Sequence, residues 1–485
     1  MTERLTFNTG DRGALPPLAR KGAKRTVPDT ADAPPSAGSA NRPGSDEKAF
    51  FALLAFTAML FFRPQDTIRA LGALHLAEIC ALAGLVLLAS GRLSKRSGRR
   101  EPLSVITPEL TGIAGLGVVI LATIPFSIWP GGAMGTFKEL YLKILLIYLL
   151  MVNTITSPRR LERFTWLIVL ASGYIALRTT IEYARGLNLA GHDRAEGAVG
   201  GIFGNPNDLA LNMVAMLPLA LLTMLRPAAP LKRLLAAGCA LFMLIAIVAS
   251  HSRSGALGFV AMLVVLAWYA AKQRPGAVVA GVMIGALALP LVPASYWTRM
   301  ESITDASKDE TGSRETRRIL LHESFQAFVE NPLVGVGAGQ FKNWNPKGRQ
   351  QPWHESHDVW LQVGAELGIG GLAVFLFLVI AAVAAVARSR TLVRRARGSR
   401  RRPPAGDLTR EELSLLDAHS AAMAASIAGW IVCALFASVA YNWTFYYVLA
   451  LAATSRDILR ARVAVPSPAP AAPAAVAVRL ETARA

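Results

Sequence analysis

The stretch PWHESHDVWLQVGAELGIGG, residues 352–371, sets two histidines, two carboxylates and a tryptophan immediately before a long apolar run. His357 stands at the start of that run. With Ser356 as its N-cap, the helix dipole favours a neutral imidazole, while a bound anion favours the charged form. An imidazole set between those influences suits a general base near neutral pH. The plainer alternative is a polar residue at a lipid interface, flanked by Trp353 and Trp360. Arg253, in HSRSG between two apolar runs, is either reaching for headgroups or placed to hold an anion. Arg314, Arg317 and Arg318 in GSRETRR recur at i, i+3 and i+4, a face of a helix that Leu321, Phe325 and Phe328 continue. Guanidinium groups grip phosphate oxygens in pairs, so these four arginines beside His357 outline a patch that fits a phosphate-bearing ligand. In GIFGNPNDLALNM, Asn207 or Asp208 is expected to cap the helix that follows, or to hydrogen-bond a sugar. Asp358, Gln362 and Glu366 recur every four residues as one polar stripe facing a cavity. His75 and Glu78 make an i, i+3 pair, either buried or a relay.

Such residues need a scaffold, and composition says which. Of 485 residues 53% are hydrophobic and 17% charged, and mean hydropathy is +0.39. The apolar residues fall in blocks of about membrane-spanning length. The expected fold is therefore an all-α polytopic membrane protein with about 12 (10–12) transmembrane helices, near 49–62, 71–90, 110–129, 139–152, 164–183, 208–225, 234–250, 255–271, 276–293, 358–387, 420–438 and 442–454. Residues 1–48 and 455–485, polar or Ala/Pro-rich, are expected to be disordered cytoplasmic tails. Residues 49–293 would form a first bundle of about nine segments, 294–357 one large outer loop, and 358–454 the last three segments. Cys80, Cys239 and Cys433 each lie inside an apolar block and are read as packing residues.

A net charge of +19 raises the question of nucleic acid. With the N-terminus inside, the inner loops hold 22 Lys/Arg and the short outer loops 6. This is the positive-inside pattern, so the charge reports topology and contact with membrane lipids, not a nucleic-acid footprint. The 64-residue loop 294–357 stands out, because long loops in compact proteins are usually functional. It is neutral overall, with eight basic and eight acidic residues. Within it, Ser313 is expected to cap an amphipathic helix that runs to Glu330, stops at Asn331-Pro332 and lies on the outer membrane surface. GVGAG at 335–339 follows no strand and faces outward, which rules against a nucleotide loop. No D-x-D pair is present to bring a metal to a phosphate-bearing ligand, so neither metal nor cofactor is expected.

SRSG, GSRETRR, ENPLVGVGAGQF and SHDVWLQVGAELGIGG, in that order and on one side of the membrane, resemble the O-antigen ligase and polymerase superfamily of bacterial polysaccharide enzymes. The resemblance covers residues 200–390 and reaches the flanks only through hydropathy. It implies a metal-independent membrane glycosyltransferase of the inner membrane with its active site on the periplasmic side. The donor would be an undecaprenyl diphosphate-linked glycan, and the acceptor lipid A core, a glycan or a protein. By position His357 corresponds to the family's essential histidine, Arg253 to a diphosphate-binding arginine, and Arg314 with Arg317 or Arg318 to those at the start of the loop helix. Asn207 and Asp208 match a recurrent polar pair. The family's histidine is commonly followed by Asn, whereas Asp358 stands here, which alters the hydrogen bond available. A polysaccharide polymerase of the same superfamily differs only in acceptor. A secondary transporter is the rival from another class: GRLSKRSGRR resembles a transporter loop motif, but Lys95 occupies its acidic position and the long loop falls after the ninth segment instead of the sixth.

Overall fold

The computed structural model describes residues 45–64, 74–93, 104–191, 193–226, 229–272, 275–305, 307, 312–398 and 408–463. Each expected apolar segment coincides with a helix. In chain order these are α1 (Ser45–Phe62), α2 (Leu76–Leu93), α3 (Pro108–Thr123), a short α4 (Pro130–Thr136) continuing through a π turn into α5 (Leu142–Thr154), α6 (Pro158–Ala184), α7 (Pro206–Leu225), α8 (Pro230–Ala249), α9 (Arg253–Ala271) and α10 (Pro275–Ala288). A short α11 (Ala294–Glu301), α12 (Ser313–Glu330), α13 (Val359–Gly398), α14 (Arg410–Ala434) and α15 (Trp443–Val463) follow. Proline opens six of them at the first helical position, where its missing N–H is not needed. Strands β1 (Leu189–Ala190) and β2 (Arg194–Ala195) pair as a tiny antiparallel hairpin.

This is an all-α, multi-pass membrane protein. Among the described residues eight helices are individually long and apolar enough to cross a membrane, or nine if Pro275–Leu291 and Ala294–Glu301, bent by 102°, make one span. The other three expected segments are helical but fall short: α5 has 13 residues, α1 begins with Asp46, Glu47 and Lys48, and α15 ends in Arg456, Asp457, Arg460 and Arg462. Two expected boundaries move, because residues 45–48 already belong to α1 and α15 continues through 455–463. The rest of both expected tails lies outside the described residues.

α7 and α14 form the centre, with 78% and 72% of their spans buried. α14 packs on α7 and α9, and α13 packs on α3, α14 and α15. Thirteen residues into α15, about 20 Å along its axis, Arg456 is 1% exposed and ion-paired with Glu109 of α3 and Asp457. Two buried charges are tolerated there only as partners, since removing one leaves the other unsolvated.

α13 is two helices joined at Gly368, whose φ is 66°. The break strips Ala365 and Glu366 of their helical donors, and inside an apolar span such carbonyls must find others. Residues 332–340 supply them: Val336 N–H donates to Ala365 O at 2.8 Å, Gly337 N–H to Glu366 O at 2.9 Å, and Ile369 N–H turns to Pro332 O at 2.8 Å. GVGAG is thus a backbone docking segment. At Gly335 (φ 65°) a Cβ would fall 2.3 Å from the Glu366 carbonyl carbon. On the other side of this segment Ser127 Oγ–H donates to Val336 O at 3.2 Å, tying it to the end of α3.

One cap assignment changes within this frame. Ser313 is the first helical residue of α12 and Gly312 takes the cap position, without a side-chain bond. α12 buries Leu320, Glu323, Ser324 and Ala327 against the protein and leaves Leu321 and Phe325 of the expected apolar face exposed. Gly368→Ala, which forces a Cβ to 2.6 Å from Leu333, is expected to cost more than about 1 kcal/mol, whereas Gly370→Ala, with open space around it, stays neutral or better. Thermal unfolding of the two variants in one detergent checks this.

Candidate active site

The starts of α7, α9, α12 and α13 meet at one end of the bundle, so four helix N-termini, each carrying partial positive charge, point at one region. They enclose a cavity of 560 Å³ lined by Arg194, Arg253, Arg299, Arg317, Asn207 and His357, among others. Arg194 arrives on β2 and Arg299 on α11, the short arm of the bent pair.

Hydrogen bonds fix the guanidinium groups. Asn207 Oδ1 accepts from Arg194 Nη2 and from Ser252 Oγ, both at 2.9 Å, so the α7 and α9 starts share one acceptor. Ser252 caps α9 by accepting from Gly255 N–H at 3.1 Å, which sets Arg253 as the first helical residue. Arg253 Nη1 donates to Ser302 Oγ at 2.9 Å, and Arg299 Nε to His251 O at 2.9 Å. Arg317 lies 6.0 Å over the Phe436 ring. Burial, followed by the positive fields of Arg299, Arg317 and Arg253, pulls the Arg194 guanidinium down to about 10. All four remain cationic at neutral pH, and an anion between them relieves their repulsion.

His357 sits on a strap of residues 353–358 in a left-handed backbone conformation, φ 52°. Its N–H donates to Ser438 Oγ at 2.9 Å, and Ser356 Oγ is 3.2 Å from the same hydroxyl. Ser356 is not the cap of α13: Asp358 Oδ1 accepts from Trp360 N–H at 2.9 Å and Leu361 N–H at 2.8 Å. Asp358 therefore orients the helix under the histidine. Burial first, then Arg317 and His354, lower the imidazole of His357 to about 4, so it is neutral at pH 7 with a free lone pair.

A second cavity, of 430 Å³, adjoins the same strap. Asp208, Glu355, Ser356, Gln362, Glu366, Ser438 and Tyr441 are among its lining residues, with Trp443 at the start of α15. Two expected stripe residues, Gln362 and Glu366, do face it. Gln362 Oε1 accepts from Ala440 N–H at 3.1 Å and Glu366 Oε2 from Gly339 N–H at 2.8 Å. Neighbouring residues line different cavities at Phe203/Gly204, Asn207/Asp208 and Ser356/His357.

Of the residues singled out from sequence, His357, Arg253, Arg317 and Asn207 share the arginine cavity, and Asp208 lies in the neighbouring one. Arg314 is exposed and lines neither. Arg318 turns away: its side chain is 80% exposed, pairs with Glu315 at 3.0 Å and borders a separate groove with His322 and Lys347. Residues one apart on a helix point about 100° apart, so Arg317 and Arg318 cannot both reach the cavity. Neither Asn207 nor Asp208 caps α7; Asn205 does, accepting from Asn207 N–H at 2.8 Å. His75 lies 3.9 Å from Glu78, but the closer partner of Glu78 is Lys143 at 2.9 Å. Arg194, Arg299, Glu355 and Tyr441 carry no local motif; sidedness was their one signal, and it marks many residues.

A multi-pass helical membrane protein with clustered arginines and a neutral imidazole at one end of its bundle is equipped to hold a phosphorylated substrate beside a base. Residues 238–376 match the family model Wzy_C, O-antigen ligase, so this part of the chain is similar to that family. The matched stretch includes Arg253, Arg299, Arg317 and His357. No curated protein matches the chain. In lipid, the imidazole of His357 is expected to titrate well below 6.5, near 4. Between those values the unfolded chain binds the extra proton and the fold does not, so stability falls as pH drops through that window. Nitrogen NMR of labelled histidine, with His357→Gln to assign the signal, measures the midpoint.

Proposed function

We propose that this protein is an O-antigen ligase-like glycosyltransferase that moves a glycan from an undecaprenyl diphosphate carrier to an acceptor hydroxyl on lipid A core, a glycan or a protein. The observation that carries the reading is the shared cavity of Arg194, Arg253, Arg299 and Arg317 with His357 on its wall. As the anomeric C–O bond breaks, the electron pair stays on the diphosphate, and guanidinium groups already in place stabilise it without rearranging. Four cations supply the charge that a metal would otherwise bring, and Asn207, Ser302 and the His251 carbonyl hold three of them in place against their mutual repulsion. His357, neutral and beside the leaving-group site, takes the acceptor's proton as the new glycosidic bond forms. Attack opposite the leaving group inverts the anomeric centre.

The positive-inside distribution supports a multi-pass orientation in the bacterial inner membrane with this end of the bundle on the periplasmic side. A carrier whose headgroup is loaded in that compartment would reach the cavity laterally from the bilayer. Polymerase and ligase then differ only in which hydroxyl is presented.

The test is release of undecaprenyl diphosphate from a lipid-linked oligosaccharide by the protein in vesicles, with a panel of acceptors. Arg317→Ala and Arg253→Ala should each lower kcat by ~10²–10³, and His357→Ala by ~10²–10⁴, while Arg318→Ala stays near wild type. Equal rates for wild type and His357→Ala would remove the histidine from the chemistry. No release with any acceptor would remove the function.

A further inference from the structure

His357 is poorly placed to keep a proton. Its ring lies under the field of Arg317, and an imidazolium there adds a like charge to a cavity lined by four arginines against one carboxylate, Glu196. A proton taken from an acceptor hydroxyl has to move on before the next turnover.

The second cavity offers a destination. Two residues before His357 on the same strap, Glu355 faces that space, and Asp208 lies within electrostatic range of it from the first turn of α7. Among the described residues neither carboxylate takes part in a salt bridge. The other charged groups around the pair are Arg63 from the end of α1, Glu139 and Lys143 from the α4–α5 segment, Lys342 from the loop and Glu366 from α13. Lys143 is engaged by Glu78 and Glu366 by Gly339, and Lys342 is the cation that acts on Glu355. Burial in the wall nonetheless raises the Glu355 carboxyl above the ordinary range. Glu355 acts electrostatically on Asp208, and a carboxylate beside another takes up a proton more readily than one alone.

Tyr441, 7% exposed, lines the same space with its hydroxyl directed at Glu366, so the wall opposite the carboxylate pair is polar as well. A hydroxyl-bearing acceptor that enters here reaches the strap from the side opposite the arginines.

We infer that the acceptor enters through the carboxylate cavity and that the Glu355–Asp208 pair, not His357, is where its proton comes to rest. The inference rests on the glycosyl-transfer reading above. In balance, the acceptor O–H loses its proton by way of His357 to a Glu355 or Asp208 oxygen. The acceptor oxygen bonds to the anomeric carbon, and the C–O bond to the diphosphate breaks with its electron pair retained by the arginine-held leaving group. The carboxylate then discharges the proton to water in the open cavity.

The experiment is carrier release by the full-length protein in vesicles across pH 5 to 9, alongside donor affinity, for wild type, Glu355→Gln, Asp208→Asn, the double variant and Glu355→Asp. Each single amide variant should lower kcat ~10- to 100-fold with donor Kd unchanged and a displaced acid limb. The double variant should be no worse than the poorer single, as for groups that act as a unit. Glu355→Asp should recover part of the rate, and formate should restore activity to Glu355→Ala. An unchanged pH profile and kcat, with only the acceptor KM raised, would make the pair a binding surface and overturn the proton role. Weakened donor affinity would assign it to the donor site instead. A wild type that releases no carrier with any acceptor overturns the glycosyl-transfer reading itself, and this inference with it.

Discussion

Backbone carbonyls in an apolar span must find donors, and at Ala365 and Glu366 the helix does not provide them. Gly368 breaks α13, and the segment 332–340 fills the gap with Val336 and Gly337 N–H groups. The site depends on that exchange. The docked segment fixes the end of α12, which carries Arg317, and the loop beyond it leads into the strap that carries His357. It also presents Gly339 N–H to Glu366, a wall residue of the second cavity. A loop that spends its backbone groups on a broken helix is held far more firmly than its length suggests, which lets a 64-residue connection position side chains for chemistry.

Electrostatics within the site runs against folding. Four guanidinium groups and four helix starts face one space, and the fold holds them apart through neutral acceptors: Asn207 for Arg194, Ser302 for Arg253 and the His251 carbonyl for Arg299. Neutral partners restrain a cation without cancelling it, and one carboxylate, Glu196, lines the same cavity and acts on Arg194. The opposite end of the bundle follows the other policy. There Arg456 is matched by Glu109 and Asp457, a closed set that contributes architecture and leaves nothing to bind.

Hydropathy made the helices legible, because each span is a continuous apolar block bounded by proline, glycine or charge. The convergence of His357, Arg253 and Arg317 was legible too, since alternate crossing brings every second helix start to one side. Caps were harder to place. Asn205, Asn207 and Asp208 are chemically interchangeable at a helix start, and so are Ser356 and Asp358; which one bonds the first turn depends on an angle of the chain that composition does not encode. On α12 the grouping of Arg317 with Arg318 did not carry over, because burial of Leu320, Glu323, Ser324 and Ala327 sets a rotation that turns Arg317 to the cavity and Arg318 to a separate groove. Arg194 and Arg299 escaped notice because a two-residue hairpin and a 102° bend deliver them, and neither leaves a periodic trace.

Trp353 and His357 both adopt left-handed backbone, at φ 66° and 52°, where a bulky side chain is unusual. Those two kinks make the strap a fixed-pitch device, with neighbouring residues delivered to different compartments: Ser356 to one, His357 to the other. Its length is consequently a frozen variable. One residue added or removed would rotate the imidazole out of the arginine compartment and misalign Asp358 with the helix it caps, whereas exchanging a side chain leaves the geometry alone. Change in the strap is therefore channelled into residue identity and not into length.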